Sequence, residues 1–344
     1  MWYLDRIFYC LLLNGIVYSS LWSSTIEATL QICFFHTGQG NCIALRVDDA
    51  PNEPKLIFID CGGGSVVKNG SKNNLSNPAK PSGRRLRELF EGITQYGMFI
   101  THNHKDHDNL CETVVKVGNE SGCDVPIFCR PISVEEFEEG DEDLLREREE
   151  DFYNVFPEIE HSLGPRVRVV PMRPKVWKNN KAQNPEHDFN IMYLVEFGGR
   201  RIFFPGDVSP QLFTQIMNIP RYSREIAAVD FLVLPHHGSN RSGELLTFFV
   251  RKPELCIICS DPLEKDHLPC DEVKEFSFSS GRGITVKEHS MSTADGGQRT
   301  DIPIFVTCDT AHGYYEMIIE ADGRTNLFDG PTAKSQGNFC FQSL

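Results

Sequence analysis

Positive charge is what this sequence is short of: 34 lysines and arginines stand against 48 aspartates and glutamates, a formal net charge of −14 over 344 residues. Non-specific binding to nucleic acid rests on neutralising phosphates with Lys and Arg, so the acidity argues against a strong generic basic surface for duplex or single strands. An anionic small-molecule substrate is not, because bound metal ions add positive charge locally. A long apolar run is missing too. Residues 7–17 are apolar but too short and too interrupted to span a bilayer. Three readings of residues 1–28 stay open: a signal peptide cut near Ala28, a retained helix packed on the domain or lying on a membrane, and a leader outside the fold. The expected location is therefore secreted or cytoplasmic, with membrane association only if the leader is retained. The 12 cysteines also lack a second C-x-x-C pair. Cys256 and Cys259 lie in an apolar strand pattern where successive side chains face opposite ways, and they read as buried free thiols rather than a zinc or redox motif.

What is present is an ordinary globular composition, 40% hydrophobic and 24% charged, which permits a large core over residues 29–344. The stretch that organises the chain is Thr101-His102-Asn103-His104-Lys105-Asp106-His107, following the apolar Met98-Phe99-Ile100. Three imidazoles and a carboxylate within six residues cannot be buried cheaply unless paired or metal-bound. Just past a strand, alternate residues diverge, so His102 and His104 are expected to grip one ion while Asp106 and His107 turn toward a second. Imidazole nitrogen and carboxylate oxygen suit zinc, with manganese or iron as alternatives. Two further apolar strands end on chemistry: Arg201-Ile202-Phe203-Phe204-Pro205-Gly206-Asp207, and Phe231 to Leu234 followed by Pro235-His236-His237-Gly238-Ser239.

In this order the three motifs resemble those of the metallo-β-lactamase-fold hydrolases. The P-H-H-G-S form is most similar to the hydrolase domain of the DNA-uptake competence proteins and its stand-alone relatives, choline-phosphate esterases among them. The resemblance covers nearly the whole chain beyond Thr29. It implies an α/β fold, a four-layer αββα sandwich holding two divalent ions, and a metal-bridged hydroxide as nucleophile. Asp207 looks like the carboxylate that bridges both ions, and Asp106 would both ligate and orient the nucleophile. Asp60, before Gly62-Gly63-Gly64 at a strand end, would orient the metal loop without ligating, and the glycines would let the backbone approach substrate. Thr37-Gly38-Gln39-Gly40-Asn41 resembles the competence-type G-Q-G-D turn, with Asn41 in place of Asp.

Several assignments stay open. His187 stands where a further metal ligand is expected, although the competence-type branch commonly carries Asn and Ser there; if His187 is not a ligand, Asn190 would contact substrate. Register with Gly238 makes His237 the ligand and leaves His236 facing the cleft, with Ser239 toward substrate. His267, in Asp266-His267-Leu268-Pro269, is a substrate or proton-transfer residue, or the ligand in place of His237. Leaving-group protonation falls to His236, His267 or a bound water. The acidic segment 134–151 reads as an inserted solvated helix pair. Expected partners are a small molecule or phosphate ester. The leading expectation is phosphodiester hydrolysis; alternatives are carboxyl-ester, lactone or thioester hydrolysis, and a metal-binding sensor without turnover.

Overall fold

The protein was analysed as a computed structural model, which describes residues 28–49, 53–64, 75–124, 126–129, 166–173, 190–249, 251–260, 270, 273, 284–288, 298–302, 304–306 and 313–330. The leader, the acidic segment 134–151, His187 and His267 lie outside the described residues.

The strands are β1 (Thr29–Phe35), β2 (Cys42–Asp48), β3 (Lys55–Cys61), β4 (Tyr96–Phe99), β5 (Ile127–Cys129), β6 (Val167–Met172), β7 (Met192–Phe197), β8 (Arg200–Phe204), β9 (Phe231–Val233), β10 (Leu255–Ile258), β11 (Ile284–Glu288), β12 (Gln298–Ile302), β13 (Ile304–Val306), β14 (Tyr314–Glu320) and β15 (Thr325–Asp329). Among the described residues they form two sheets. One has the order β12-β11-β15-β14-β1-β2-β3-β4-β5, the other β13-β10-β9-β8-β7-β6.

The layer order follows from side-chain alternation along each strand. On β1, Leu30, Ile32 and Phe34 point inward to meet Tyr193, Val195, Ile202, Phe204 and Ile257 of the facing sheet. Their neighbours Cys33 and Phe35 point the other way, under helices α1 (Pro81–Leu89) and α2 (Cys111–Glu120), against Leu86, Leu89, Val114 and Val117. The second sheet does the same: Leu194, Phe203, Leu232 and Cys256 turn outward onto Leu212, Phe213 and Ile216 of α3 (Pro210–Met217) and Ile226 of α4 (Pro220–Ile226). This is the four-layer αββα sandwich expected from the sequence. Burial on both faces explains why β3, β8, β9 and β10 read as continuous apolar runs. Each such side chain removed from water contributes roughly 1.5–3 kcal/mol.

The sequence suggests helices over residues 83–90 and 108–117 and a final hairpin of residues 302–306 with 313–319, and the structure differs at each. The first helix starts at Pro81, whose missing N–H suits a first-turn position. After the His-rich loop the chain makes a separate turn, Lys105–Asp108, before α2 begins at Cys111. The expected final hairpin between residues 302–306 and 313–319 does not form. Instead β13 runs parallel to β10 in one sheet, while β14 pairs with β1 and β15 in the other. No helix among the described residues is long and apolar enough to cross a membrane.

Candidate metal centre

Parallel pairing puts several strand C-termini at one edge of the sandwich. β3 runs parallel to β4, and β8, β9 and β10 are mutually parallel. The chemistry-bearing loops leave from those ends, where open α/β sheets place their ligands.

Two groups of ligand atoms assemble there, each with its atoms within 4.8 Å of one another: Asp106, His107, Asp207 and His237, and His102, His104 and Asp207. Asp207, which is 3% exposed, belongs to both. Its Oδ1 lies 3.4 Å from His107 Nε2 and 3.9 Å from His237 Nε2, whereas its Oδ2 lies 3.9 Å from His102 Nε2. One carboxylate thus turns a different oxygen toward each group.

The surrounding hydrogen bonds fix which imidazole nitrogen faces inward. His237 Nδ1 is 2.8 Å from the Cys259 carbonyl, which can only accept, so Nδ1 carries a proton and, in the neutral ring, Nε2 presents a lone pair. His107 Nδ1 is held in the same way by Asp60 Oδ2 at 2.7 Å. The two inward nitrogens, His107 Nε2 and His237 Nε2, are then 3.3 Å apart. In neutral rings two lone pairs facing at that distance repel, a clash that a proton or a metal ion between or beside them relieves. Asp106 Oδ2 is 3.2 Å from His237 Nε2, and Asp207 Oδ1 is buried without a hydrogen-bond partner. A buried, orphaned carboxylate oxygen among inward lone pairs fits a divalent cation.

Charge tells the same story from the other side. Burial opposes ionisation of Asp207, yet His237, His107 and His102 hold its carboxyl well below the usual range. Burial likewise pushes the His107 and His237 imidazoles down, but Asp60 and Asp207 around the first, and Asp207 and Asp106 around the second, raise both above an ordinary histidine. Without metal, protons balance the carboxylates, and an ion would displace them. His236 behaves differently. It is 23% exposed, with Nδ1 3.5 Å from Asp207 Oδ2. Burial pushes its pKa down; the pull of Asp207 opposes this without reversing it, and the neighbouring His237 and Arg241 add to the downward shift.

Asp60 is aimed by backbone geometry. The β2–β3 ladder pairs Cys42 with Cys61 but Ile43 with Ile59, so Asp60 is the extra residue of a bulge, with φ of 57°. A bulge bends the strand and re-aims its side chain. The Asp60 carboxylate accepts from Thr101 N at 2.7 Å and Thr101 Oγ1 at 3.0 Å as well as holding His107. Thr101, which the sequence reading passed over, is a hub: its buried hydroxyl also lies 3.1 Å from His102 Nδ1. A small hydroxyl residue immediately ahead of the His-rich loop was the available signal.

Two expectations need correcting. Asn190 does not reach toward substrate: it is fully buried, donates through Nδ2 to the Pro205 carbonyl at 2.7 Å and accepts at Oδ1 from Asp207 N at 3.0 Å. Both ends of its amide are occupied in clamping the Gly206-Asp207 turn. Nor does Gly62 open space for substrate, because a Cβ there would stand 1.8 Å from the Asp106 carbonyl oxygen. Its role is close backbone packing under the metal loop. The G-Q-G-N turn also buttresses that loop, Asn41 N donating to the Asp106 carbonyl at 3.0 Å. Cys256 and Cys259 are buried free thiols on opposite faces of the sheet.

No protein-family model matches the chain, and no curated protein matches it by sequence. Among solved structures it is similar to a long form RNase Z from yeast, at 12% identity and a TM-score of 0.40, covering 69% of this chain and 38% of that one. It is also similar to a diphosphatase of the PhnP family (12% identity, TM-score 0.36, 87% and 97% covered). A third likeness is to a putative zinc-dependent hydrolase of the metallo-β-lactamase superfamily from Thermotoga maritima (11%, 0.32, 80% and 98%). The chain spans little more than a third of the yeast enzyme's length. Identities of 11–12% give this chain a likeness in fold and no substrate.

Proposed function

We propose that the chain is a metal-dependent hydrolase of phosphate esters, most specifically of the phosphodiester class, with two divalent ions, zinc first among them. The observation that carries this is the sharing of Asp207, one oxygen to each ligand group. His102, His104 and Asp207 would hold one ion, and Asp106, His107, His237 and Asp207 the other. Divalent ions in such a pair supply Lewis acidity at phosphorus and an activated water near neutral pH.

The chain's own residues supply position and proton handling. The Asp106 side chain is 30% exposed, with Oδ2 3.2 Å from His237 Nε2. It would orient the attacking water. His236 is neutral at pH 7, given its lowered pKa, and its ring would offer a hydrogen bond to the departing oxygen rather than act as a standing cation. Ser239 has a buried hydroxyl with no hydrogen-bond partner, which suits a substrate contact. Phosphodiester cleavage is favoured over carboxyl-ester, lactone or thioester cleavage because a two-ion clamp fits both the entering and the leaving oxygen of in-line displacement.

The test is elemental analysis together with turnover of bis-p-nitrophenyl phosphate, a lactone and a thioester. Metal with phosphodiester turnover is expected. Turnover confined to the lactone or thioester transfers the assignment to those esters, and bound metal with no turnover on any of the three leaves a binding module.

A further inference from the structure

We propose that Arg241 is a specificity residue that engages a non-bridging phosphate oxygen of the substrate at the lip of the metal centre; this rests on the phosphate-ester reading above. Arg241 is an exposed residue in the turn that follows the P-H-H-G-S motif, a turn closed by Ser242 N donating to the Ser239 carbonyl at 2.9 Å. That turn is anchored to the site, because Ser239 N donates to the His236 carbonyl at 2.9 Å and the Ser242 hydroxyl donates to the Pro235 carbonyl.

The charge on Arg241 is uncommitted. Other arginines near the sandwich surface are spent on carboxylates, Arg168 on Glu196 and Glu225, Arg201 on Glu196, and Arg251 on Asp230. No ion pair or hydrogen bond engages the Arg241 guanidinium among the described residues. In a chain with a net charge of −14, a cation without a partner among the described residues, on a turn that follows a cluster of four imidazoles and two carboxylates, is a local exception. A guanidinium is the side chain best shaped to take two oxygens of a phosphate at once. The Ser239 hydroxyl on the same turn, buried and without a partner, supplies a second donor of the right kind. Ions in the centre would hold the reacting oxygens, and Arg241 would select for a substrate whose charge extends toward the lip.

The probe is inorganic phosphate, titrated by calorimetry into the protein as purified with its metal, with acetate run in parallel. Arg241→Gln should weaken phosphate binding about 5- to 20-fold, in the range of a partly solvated charge-assisted hydrogen bond, and Arg241→Lys should recover part of the loss. On a phosphodiester substrate the same variant should raise KM while kcat changes by less. Phosphate affinity equal in wild type and Arg241→Gln overturns the proposal, as does wild-type protein that takes up no phosphate. Acetate bound as tightly as phosphate overturns the phosphate assignment. If the wild type shows an Arg241-dependent phosphate affinity but no phosphodiester turnover, the hydrolase reading fails and the anion site stands.

Discussion

Replacing Asp60 by Asn tests whether the centre is tuned through a residue that touches no ion. The exchange keeps the side-chain size, and Asn tolerates the left-handed backbone at φ of 57°. The carboxylate accepts three hydrogen bonds, Thr101 N at Oδ1 and both Thr101 Oγ1 and His107 Nδ1 at Oδ2. An amide has only one oxygen. The Thr101 backbone N–H cannot change, so the amide oxygen stays with it and the NH₂ group faces His107 Nδ1. The imidazole can relieve that clash by moving its proton to Nε2, which then no longer offers a lone pair to an ion. Loss of a carboxylate that orients a ligand histidine typically costs 10- to 100-fold in metal affinity, about 1.4–2.8 kcal/mol at roughly 1.4 kcal/mol per tenfold. The assay is zinc titration against a competing chelator, with circular dichroism to show that the sandwich persists. Wild-type zinc affinity in a folded Asp60→Asn protein would refute the tautomer argument.

Four further outcomes follow from the same geometry. His104→Ala should lower the metal stoichiometry measured by elemental analysis while the fold remains, and Asp207→Asn should cost more metal and more turnover than His104→Ala because it serves both groups. His237→Ala should lose metal and recover partly in excess zinc, whereas His236→Ala should keep its metal and lose roughly 10²- to 10⁴-fold in turnover; full metal occupancy in His237→Ala would move the ligand elsewhere. Since His236 has φ of 50°, His236→Gly should be more stable to urea than His236→Ala by about 1–2 kcal/mol, the cost of a Cβ in the left-handed region. The thermal stabilisation conferred by zinc should grow between about pH 6 and 8. The raised pKa values of His107 and His237 stabilise the metal-free protein fully below the unfolded value near 6.5, and that contribution fades as pH rises through their folded values. The depressed Asp207 pKa acts in the opposite sense, its contribution being lost only as pH falls well below 3.8. A zinc-induced shift that stays flat with pH would contradict this.

The ligand groups were legible because their chemistry is concentrated in short strings. His102 to His107 cannot be read as packing, and Gly-Asp or Pro-His-His directly after an apolar strand marks a strand end at a parallel sheet edge. The layer order was implied by the resemblance of the three motifs, and side-chain alternation along the strands accounts for it physically. What the sequence hid depends on partners far along the chain. Asn190 reads as a polar residue ahead of a strand, and its commitment appears only when Pro205 and Asp207 fold back onto its amide. The last strands were misjoined for a related reason: Ile302 closes β12 in one sheet, while Ile304 opens β13 in the other. Local pattern marks such residues as strand but does not say which sheet receives them.

Backbone strain shows why the site is built this way. Among the described residues the non-glycine residues with positive φ are Asp60, His236 and His237, and all three are in the centre. Each such conformation costs on the order of 1–3 kcal/mol and persists only where the surroundings over-determine it. The surroundings can be named: three donors hold Asp60, the Cys259 carbonyl holds His237, and the His236 N–H donates to the Gly206 carbonyl at 3.2 Å. Relaxing any of these residues into an extended backbone would swing its side chain away from its present partners, Thr101 and His107 for Asp60 and Asp207 for the two histidines. The left-handed pair also explains how two adjacent histidines come to differ in burial. It turns the chain so that His237 is buried with Nε2 among the carboxylates while the His236 side chain stays partly exposed. The rigid strands beneath, sealed on both faces, oppose the relaxation, so fold stability is what maintains the strain that sets the ligand directions.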